Sequence, residues 1–324
     1  MDKLFQILCG GKNFKLTYHL RCYSQLFTPK IIFRTRLKHT LSAFDKRDDR
    51  GYILGRVDYY CKLKPGAAAG NQKISDFKLK NCHNSNVYFF DSNEFLRWFD
   101  GRLKFGFAFG DVTHIPDEPS IVKSRPIAGD NANSVVLKLA KFRHFTFLTD
   151  KRPFCNKMNK AIFRGAVTGK PHREKFMQMY FNNPLCDLGT ISKNNQIPAE
   201  WKKKPIRLYD HLPYKFIFCL EGNDVASNLK WVMSSNSLAV MPRPTYETWF
   251  MEGKLIPDYH YIEIKKDFSG LEEKLTYYIE HPQKAEDIIR NANEYAAQFF
   301  DKKREKLISL LVLDKYFRMT GQTV

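Results

Sequence analysis

The segment YKFIFCLEGNDVASNLKWVMSSNSLAVMP, Tyr214–Pro242, decides the fold of this chain. YKFIFCL is a mostly apolar run rich in aromatic residues, which reads as a buried strand. Glu221, Gly222, Asn223 and Asp224 break it abruptly. ASNLKWVMSSN then carries a helical pattern, and SLAVMP is a second apolar run. Strand, helix and strand fit within about 28 residues. That is the length of a βαβ crossover, which pairs its strands in parallel and winds right-handed. In open α/β sheets, ligands bind beyond the carboxyl ends of the strands. The polar elbow stands at such an end and has two readings. Gly222 lets the backbone turn or a ligand approach, while Asn223, Asp224 and Ser227 can cap the helix. Either the helix amides face an anion, most naturally a phosphate, or the turn caps itself and binds nothing. The G-x-G-x-x-G pattern is missing, so a dinucleotide fingerprint is not indicated.

Working outward, KAIFRGA (160–166) reads as a strand ending at Arg164-Gly165, and GKPHREKFMQMYFN (169–182) as a turn followed by a helix. Arg164, Lys170 and Arg173 suit a phosphate, since guanidinium groups grip it in bidentate fashion; each is equally a candidate surface charge. CDLGTIS (186–192) and HYIEIKKD (260–267) add strands, Ser269 and Glu272 have capping-box spacing, and His281-Pro282 ends one helix before a long helical tail. This alternation predicts a doubly wound, Rossmann-like domain over 151–300, with 301–324 as a C-terminal helix. Residues 1–150 form a separate N-terminal domain of mixed α/β character. Within it GYILGRVDYYCKL (51–63) and NSNVYFF (84–90) read as strands from their β-branched and aromatic content, and SNEFLRWF (92–99) as a short helix.

The chain has 324 residues, 43% of them hydrophobic, and a net charge of +19. Such a field draws nucleic acid, anionic membrane or phosphorylated ligands. No helix-turn-helix, zinc, RRM or KH signature accompanies the charge, so a nucleic-acid-binding protein is the alternative reading and no nucleic-acid partner is expected. The seven cysteines show no C-x-x-C pair and an odd count, as expected for free thiols in a reducing compartment. No apolar stretch reaches the roughly 18 residues that span a bilayer, and the start of the chain does not resemble a signal peptide. The expectation is a cytoplasmic protein, peripheral on the inner face of the membrane. Residues 1–50 are basic and aromatic. FKLTYHLRCYSQLFTPKIIFRTRLKHTLSAF (14–44) predicts short amphipathic helices broken near Pro29, whose basic face is either solvated or docked on an anionic membrane surface.

Three segments in fixed order, AIFRGAVTGKPHREKF (161–176), the Tyr214–Pro242 stretch, and ETWFMEGKLIPDYHYIEIKKDFSGLEEKL (247–275), resemble glycosyltransferase family 90. That family includes CAP10-like capsule proteins, protein O-glucosyltransferases and lipopolysaccharide-modifying enzymes, and the bacterial LpsA-type branch is the one most resembled. The similarity covers roughly residues 105–300. It implies a GT-B-like α/β enzyme, two Rossmann-like domains facing a cleft, which moves a sugar from a nucleotide sugar, UDP-linked by expectation, to a lipid-linked or lipopolysaccharide acceptor. It also implies inversion without a metal or other cofactor. FDSNEF and KRDDR do not form the D-x-D that a metal would need. A family member that has lost catalysis and only binds saccharide is a further alternative.

Without a metal, the departing diphosphate needs protein cations and backbone dipoles. The resemblance assigns donor binding to Arg164, Gly165, Lys170, Arg173, Gly222, Asn223, Asp224, Ala226, Ser227, Asn228 and Lys230. Eukaryotic members often carry Arg where this chain has Asn228, which shifts the phosphate grip toward Lys230 or Arg173. Glu247, read as opening a helix, is either a ribose acceptor or an ordinary helix acid. Inversion requires a base for the acceptor hydroxyl. Asp111 in FAFGDVTHIPDEP matches that role, with Asp117 and Glu118 as alternatives. His114, Lys123 and Arg125 line an acceptor pocket or are surface charges.

Overall fold

The computed structural model describes residues 10–13, 15–81, 86–194 and 196–324; Cys9 and Cys82 lie outside them. The other five cysteines are free thiols. Chain contacts divide the protein into two units. A mixed unit gathers Lys15–Lys141, Thr245–Gly253 and Phe299–Val324; a parallel-sheet unit is built chiefly on Phe142–Pro244 and Lys254–Gln298. The strands are β1 (Gln72–Lys73), β2 (Lys104–Ala108), β3 (Ser120–Val122), β4 (Ser124–Pro126), β5 (Ser134–Val136), β6 (Met158–Gly165), β7 (Cys186–Thr190), β8 (Tyr214–Phe218), β9 (Leu238–Met241), β10 (Tyr246–Thr248) and β11 (Ile262–Glu263).

In the mixed unit the sheet order is β1-β2-β3-β5, with β1 antiparallel to β2 and the rest parallel. A ribbon pairs β4 with β10 in antiparallel register. Helices span Lys15–Phe27, Ile31–Ser42, Arg50–Tyr60, Asn86–Leu96 and Lys302–Met319. Two of these correct the sequence reading. Residues 51–60 are helix rather than strand, and their buried positions Ile53, Arg56, Val57 and Tyr60 fall at helical spacing. Residues 86–90 are likewise helical and continuous with the stretch to Leu96. In both, aromatic and β-branched composition favoured a strand, but tertiary packing on one face decided the outcome. Glu305, 4% exposed, holds this unit together. It accepts hydrogen bonds from Arg56, from Lys138 at 3.0 Å and from Trp249 at 2.6 Å. Tyr60 stacks on Trp249 with ring centroids 3.9 Å apart.

The parallel-sheet unit carries five strands, all parallel, in the order β11-β9-β8-β6-β7. Counted along the chain this is the flavodoxin-like doubly wound order, which reverses direction between β6 and β8. The expected parallel pairing of the 214–218 and 238–241 strands is present. One face packs Phe163 and Phe218 against Phe176 of the helix Pro171–Tyr180, within a larger apolar cluster. Three local expectations are corrected. The helix between β8 and β9 is a single turn, Leu229–Val232. The helix Leu271–Glu280 starts at Gly270, whose φ is 75°, without a side-chain cap; Ser269 instead donates to Asp267 at 2.8 Å. The helical tail is broken after Pro282–Ala297; the helix Lys302–Met319 of the mixed unit is the expected C-terminal helix, and Asp301 caps it by accepting from Lys303 and Arg304.

Candidate functional site

At the point where strand order reverses, the ends of β6 and β8 are tied by one side chain. Arg173, in the first turn of the helix after β6, donates to the carbonyls of Ala166 at 2.8 Å, Leu220 at 2.6 Å and Glu221 at 2.8 Å. His172 meets the Glu221 carbonyl as well, at 2.9 Å. Pro171 opens this helix, where its missing N–H costs nothing, and Gly169 supplies the left-handed turn before it at φ 69°. Among the described residues the hydrogen bonds of Arg173 go to main-chain oxygens, and the carboxylate near enough to act on it, Glu221, does so through space. Burial, and then the nearby Arg143, push its guanidinium down to about 10. Two glycines make room. A Cβ on Gly165 would lie 2.7 Å from the Phe163 ring and 3.4 Å from Arg173; one on Gly222 would lie 3.6 Å from Arg173. Gly165, Gly222 and Arg173 therefore form one cluster at the crevice where doubly wound sheets bind ligands.

Arg164 goes elsewhere. Phe163 faces the helix 171–180, and successive strand residues point to opposite faces, so Arg164 projects from the other side of the sheet. There it donates to the Asp187 carboxylate at 2.7 Å and the Asp187 carbonyl at 2.8 Å. Lys203 and Tyr214 also donate to that carboxylate. Burial alone would raise the Asp187 carboxyl, but these hydrogen bonds outweigh it and hold it at about 2. The alternation along β6 was the signal that separates Arg164 from Arg173; Asp187, Lys203 and Tyr214 carried none.

In the elbow, Asn223 is exposed, Ser227 and Asn228 are half-buried, and Asp224, Ala226 and Lys230 are buried. Asn228 donates to the Phe218 carbonyl at 2.9 Å and so finishes β8. The one-turn helix supplies little aligned dipole, which removes the physical basis for a strong amide-only anion site. Lys170 is half-buried at the start of its helix.

In the mixed unit, Asp111 follows β2 just after Gly110, whose φ of 117° only glycine adopts readily. Lys123, buried between β3 and β4, forms an ion pair with it. His114, Asp117 and Glu118 are exposed on the same loop. Arg125 is fully buried. It donates to Glu247 at 2.8 Å, to the Tyr59 carbonyl at 2.7 Å and to the Ser134 carbonyl at 3.0 Å. Glu247 corrects the sequence reading: it lies in β10 opposite Arg125, not at a helix start. Its second oxygen accepts from the Tyr59 hydroxyl. Neither Lys123 nor Arg125 is a surface charge.

The family model for glycosyl transferase family 90 matches residues 140–320. The chain is 42% identical over 274 residues to the O-glucosyltransferase LpsA of Dichelobacter nodosus, covering 83% of this chain and 84% of that protein. It is 28% identical over 169 residues to human protein O-glucosyltransferase 3, covering 50% of this chain and 32% of the relative. With rat protein O-glucosyltransferase 1 it shares 26% over 153 residues, or 44% and 38% of the two chains.

Proposed function

This chain belongs to glycosyl transferase family 90 and is a glycosyltransferase, and from that premise we propose that it transfers glucose from a UDP-linked donor to a lipopolysaccharide or lipooligosaccharide acceptor, with inversion and without a metal. The observation that carries the donor side is the Arg173 cluster at the carboxyl ends of β6 and β8, a cation with no carboxylate among its hydrogen-bond partners in the described residues. In this reading Gly165 and Gly222 let the diphosphate approach the backbone, and Lys170 adds charge at the rim. Lys230 and the elbow residues shape the floor of the same pocket. Glucose follows from the names of the relatives.

Asp111 is the general base. Its carboxylate takes the proton of the acceptor hydroxyl while that oxygen bonds to the anomeric carbon. The bond from that carbon to the diphosphate breaks, and the electron pair leaves with UDP. Lys123 orients the carboxylate. His114 lines the acceptor approach. We assign the fold to the GT-B class. No helix among the described residues is long and apolar enough to cross a membrane; the reading places the enzyme on the inner membrane face, held by its basic helices.

A thermal-shift series with UDP, UDP-glucose, UDP-galactose and ADP-glucose tests the donor, because a ligand of the folded state raises its melting temperature. A selective shift with UDP-glucose, together with transfer of labelled glucose to lipopolysaccharide, is expected. No shift with any UDP compound and no transfer would overturn the reading.

A further inference from the structure

The helix Lys15–Phe27 turns its apolar stripe outward. Leu16, Leu20, Tyr23 and Phe27 recur at helical spacing and are 58%, 61%, 44% and 85% exposed. Ile31, at the start of the next helix, is 61% exposed. The opposite face is the one that docks on the protein, through Tyr18 to Asp91 and through buried Cys22. Beside the end of this ridge sits Arg97, only 2% exposed. Its Cζ lies 3.9 Å over the Phe33 ring, and Nη2 donates to the Thr28 carbonyl at 2.9 Å. Nε and Nη1 are buried and have no partner among the described residues, and neither has Nε of Arg34. Lys30 is close enough to feel Arg34, Arg97 and Lys78; burial and then these like charges push its ammonium down.

Glu94 is near enough to attract Arg97, and Asp100 to attract Arg34, but the hydrogen bonds of both acids go to other cations. Asp100 is held by Arg102 at 2.8 Å, and Glu94 by Lys141 at 2.6 Å and Arg21 at 3.2 Å. The amides of Ile32, Phe33 and Arg34 are already bonded within the turn, so it is the side chains that are left to meet an anion. Buried N–H groups on a charged side chain are costly to leave unpaired, and a bound anion would relieve both that cost and the repulsion among the neighbouring cations.

We propose that Arg97, Arg34 and Lys30 form a binding site for the phosphate headgroup of an anionic membrane lipid, with Leu16, Leu20 and Phe27 entering the acyl boundary beside it. The inference rests on the membrane attachment proposed above and gives it a specific contact. An exposed apolar ridge next to a phosphate-sized cationic site matches a lipid interface, where apolar burial and headgroup attraction act together, and favours a lipid over a free phosphate.

The test is sedimentation of the full chain with phosphatidylcholine vesicles, with and without phosphatidylglycerol. Variants are Arg97→Gln, Arg34→Gln and the double change Leu20→Ser with Phe27→Ser, each checked by thermal unfolding. The chain binds only the anionic vesicles, and each Arg variant weakens binding about tenfold or more. If Arg97→Gln does not fold, Arg34→Gln carries the same expectation. Binding lost in the Ser variant but untouched in both Arg variants would leave membrane attachment standing and remove the phosphate site. Wild-type binding in all three would remove both the phosphate site and the apolar ridge as the points of contact, and no binding to any vesicle would remove membrane attachment as well. Stabilisation by inorganic phosphate that vanishes in Arg34→Gln, with no vesicle binding, would assign the site to a free anion instead.

Discussion

Lys123 donates to Asp111 from a position almost wholly out of water, its side chain 2% exposed against 31% for the carboxylate. The lysine is fixed between two strands while the acid still reaches solvent, so the pair orients the carboxylate without covering it. Asp111→Asn is expected to cut turnover by about 10²–10⁴ with little change in donor KM. Lys123→Met loses less, because the base remains but is no longer oriented. Near-normal turnover in Asp111→Asn would remove it from the mechanism.

Arg173→Ala strips three carbonyls of their donor. A stability loss of about 1–3 kcal/mol follows from leaving such groups unsatisfied, and UDP affinity falls with it. Arg173→Lys keeps charge but not the planar fork, so it recovers only part of both. Urea unfolding and calorimetric titration with UDP separate the two effects. Lost stability with unchanged UDP affinity would confine Arg173 to the fold.

Glu247 and Arg125 are a buried pair with both carboxylate oxygens engaged. Glu247→Gln is expected to cost roughly 3–5 kcal/mol, because it strands a buried guanidinium. Replacing both with apolar residues, Arg125→Met and Glu247→Leu, removes the stranded charge but leaves the Tyr59 and Ser134 carbonyls without that donor, so it restores only part of the loss. The donor KM of the folded fraction stays unchanged in either case; a selective rise would show that Glu247 touches the donor after all.

Burial holds the imidazoles of His211 and His260 below their ordinary value of 6.5. Above that pH both are neutral in either state and stability is at its full level. As pH falls below about 6.5 the unfolded chain takes up protons that the native state refuses, and stability drops by up to about 1.4 kcal/mol per pH unit for each group. Asp187, held at about 2, contributes stability that is lost only as pH falls from 3.8 toward that value. Chemical denaturation from pH 8 to 5 checks the first range, and His211→Gln should flatten it.

The parallel sheet was legible because β8 and β9 are short apolar runs at crossover spacing, and the turn with Gly and Arg after β6 marked where that strand ends. The first hundred residues misled where aromatic composition competed with period: Ile53, Val57 and Tyr60 were already spaced as a helix. Glu247 was misread because its partners, Tyr59 and Arg125, are 188 and 122 positions away. Local propensity carries no record of such pairings. Arg164 and Arg173 looked equivalent as charges, and only the facing of β6 distinguishes them.

Glu305 closes the mixed unit on Arg56, a residue made 249 positions earlier. At about 5–20 residues per second a ribosome takes roughly 10–50 seconds to cover that distance. Throughout that interval the nascent chain carries a guanidinium whose eventual counter-ion has not been translated, and any premature stop before the last helix leaves it stranded for good.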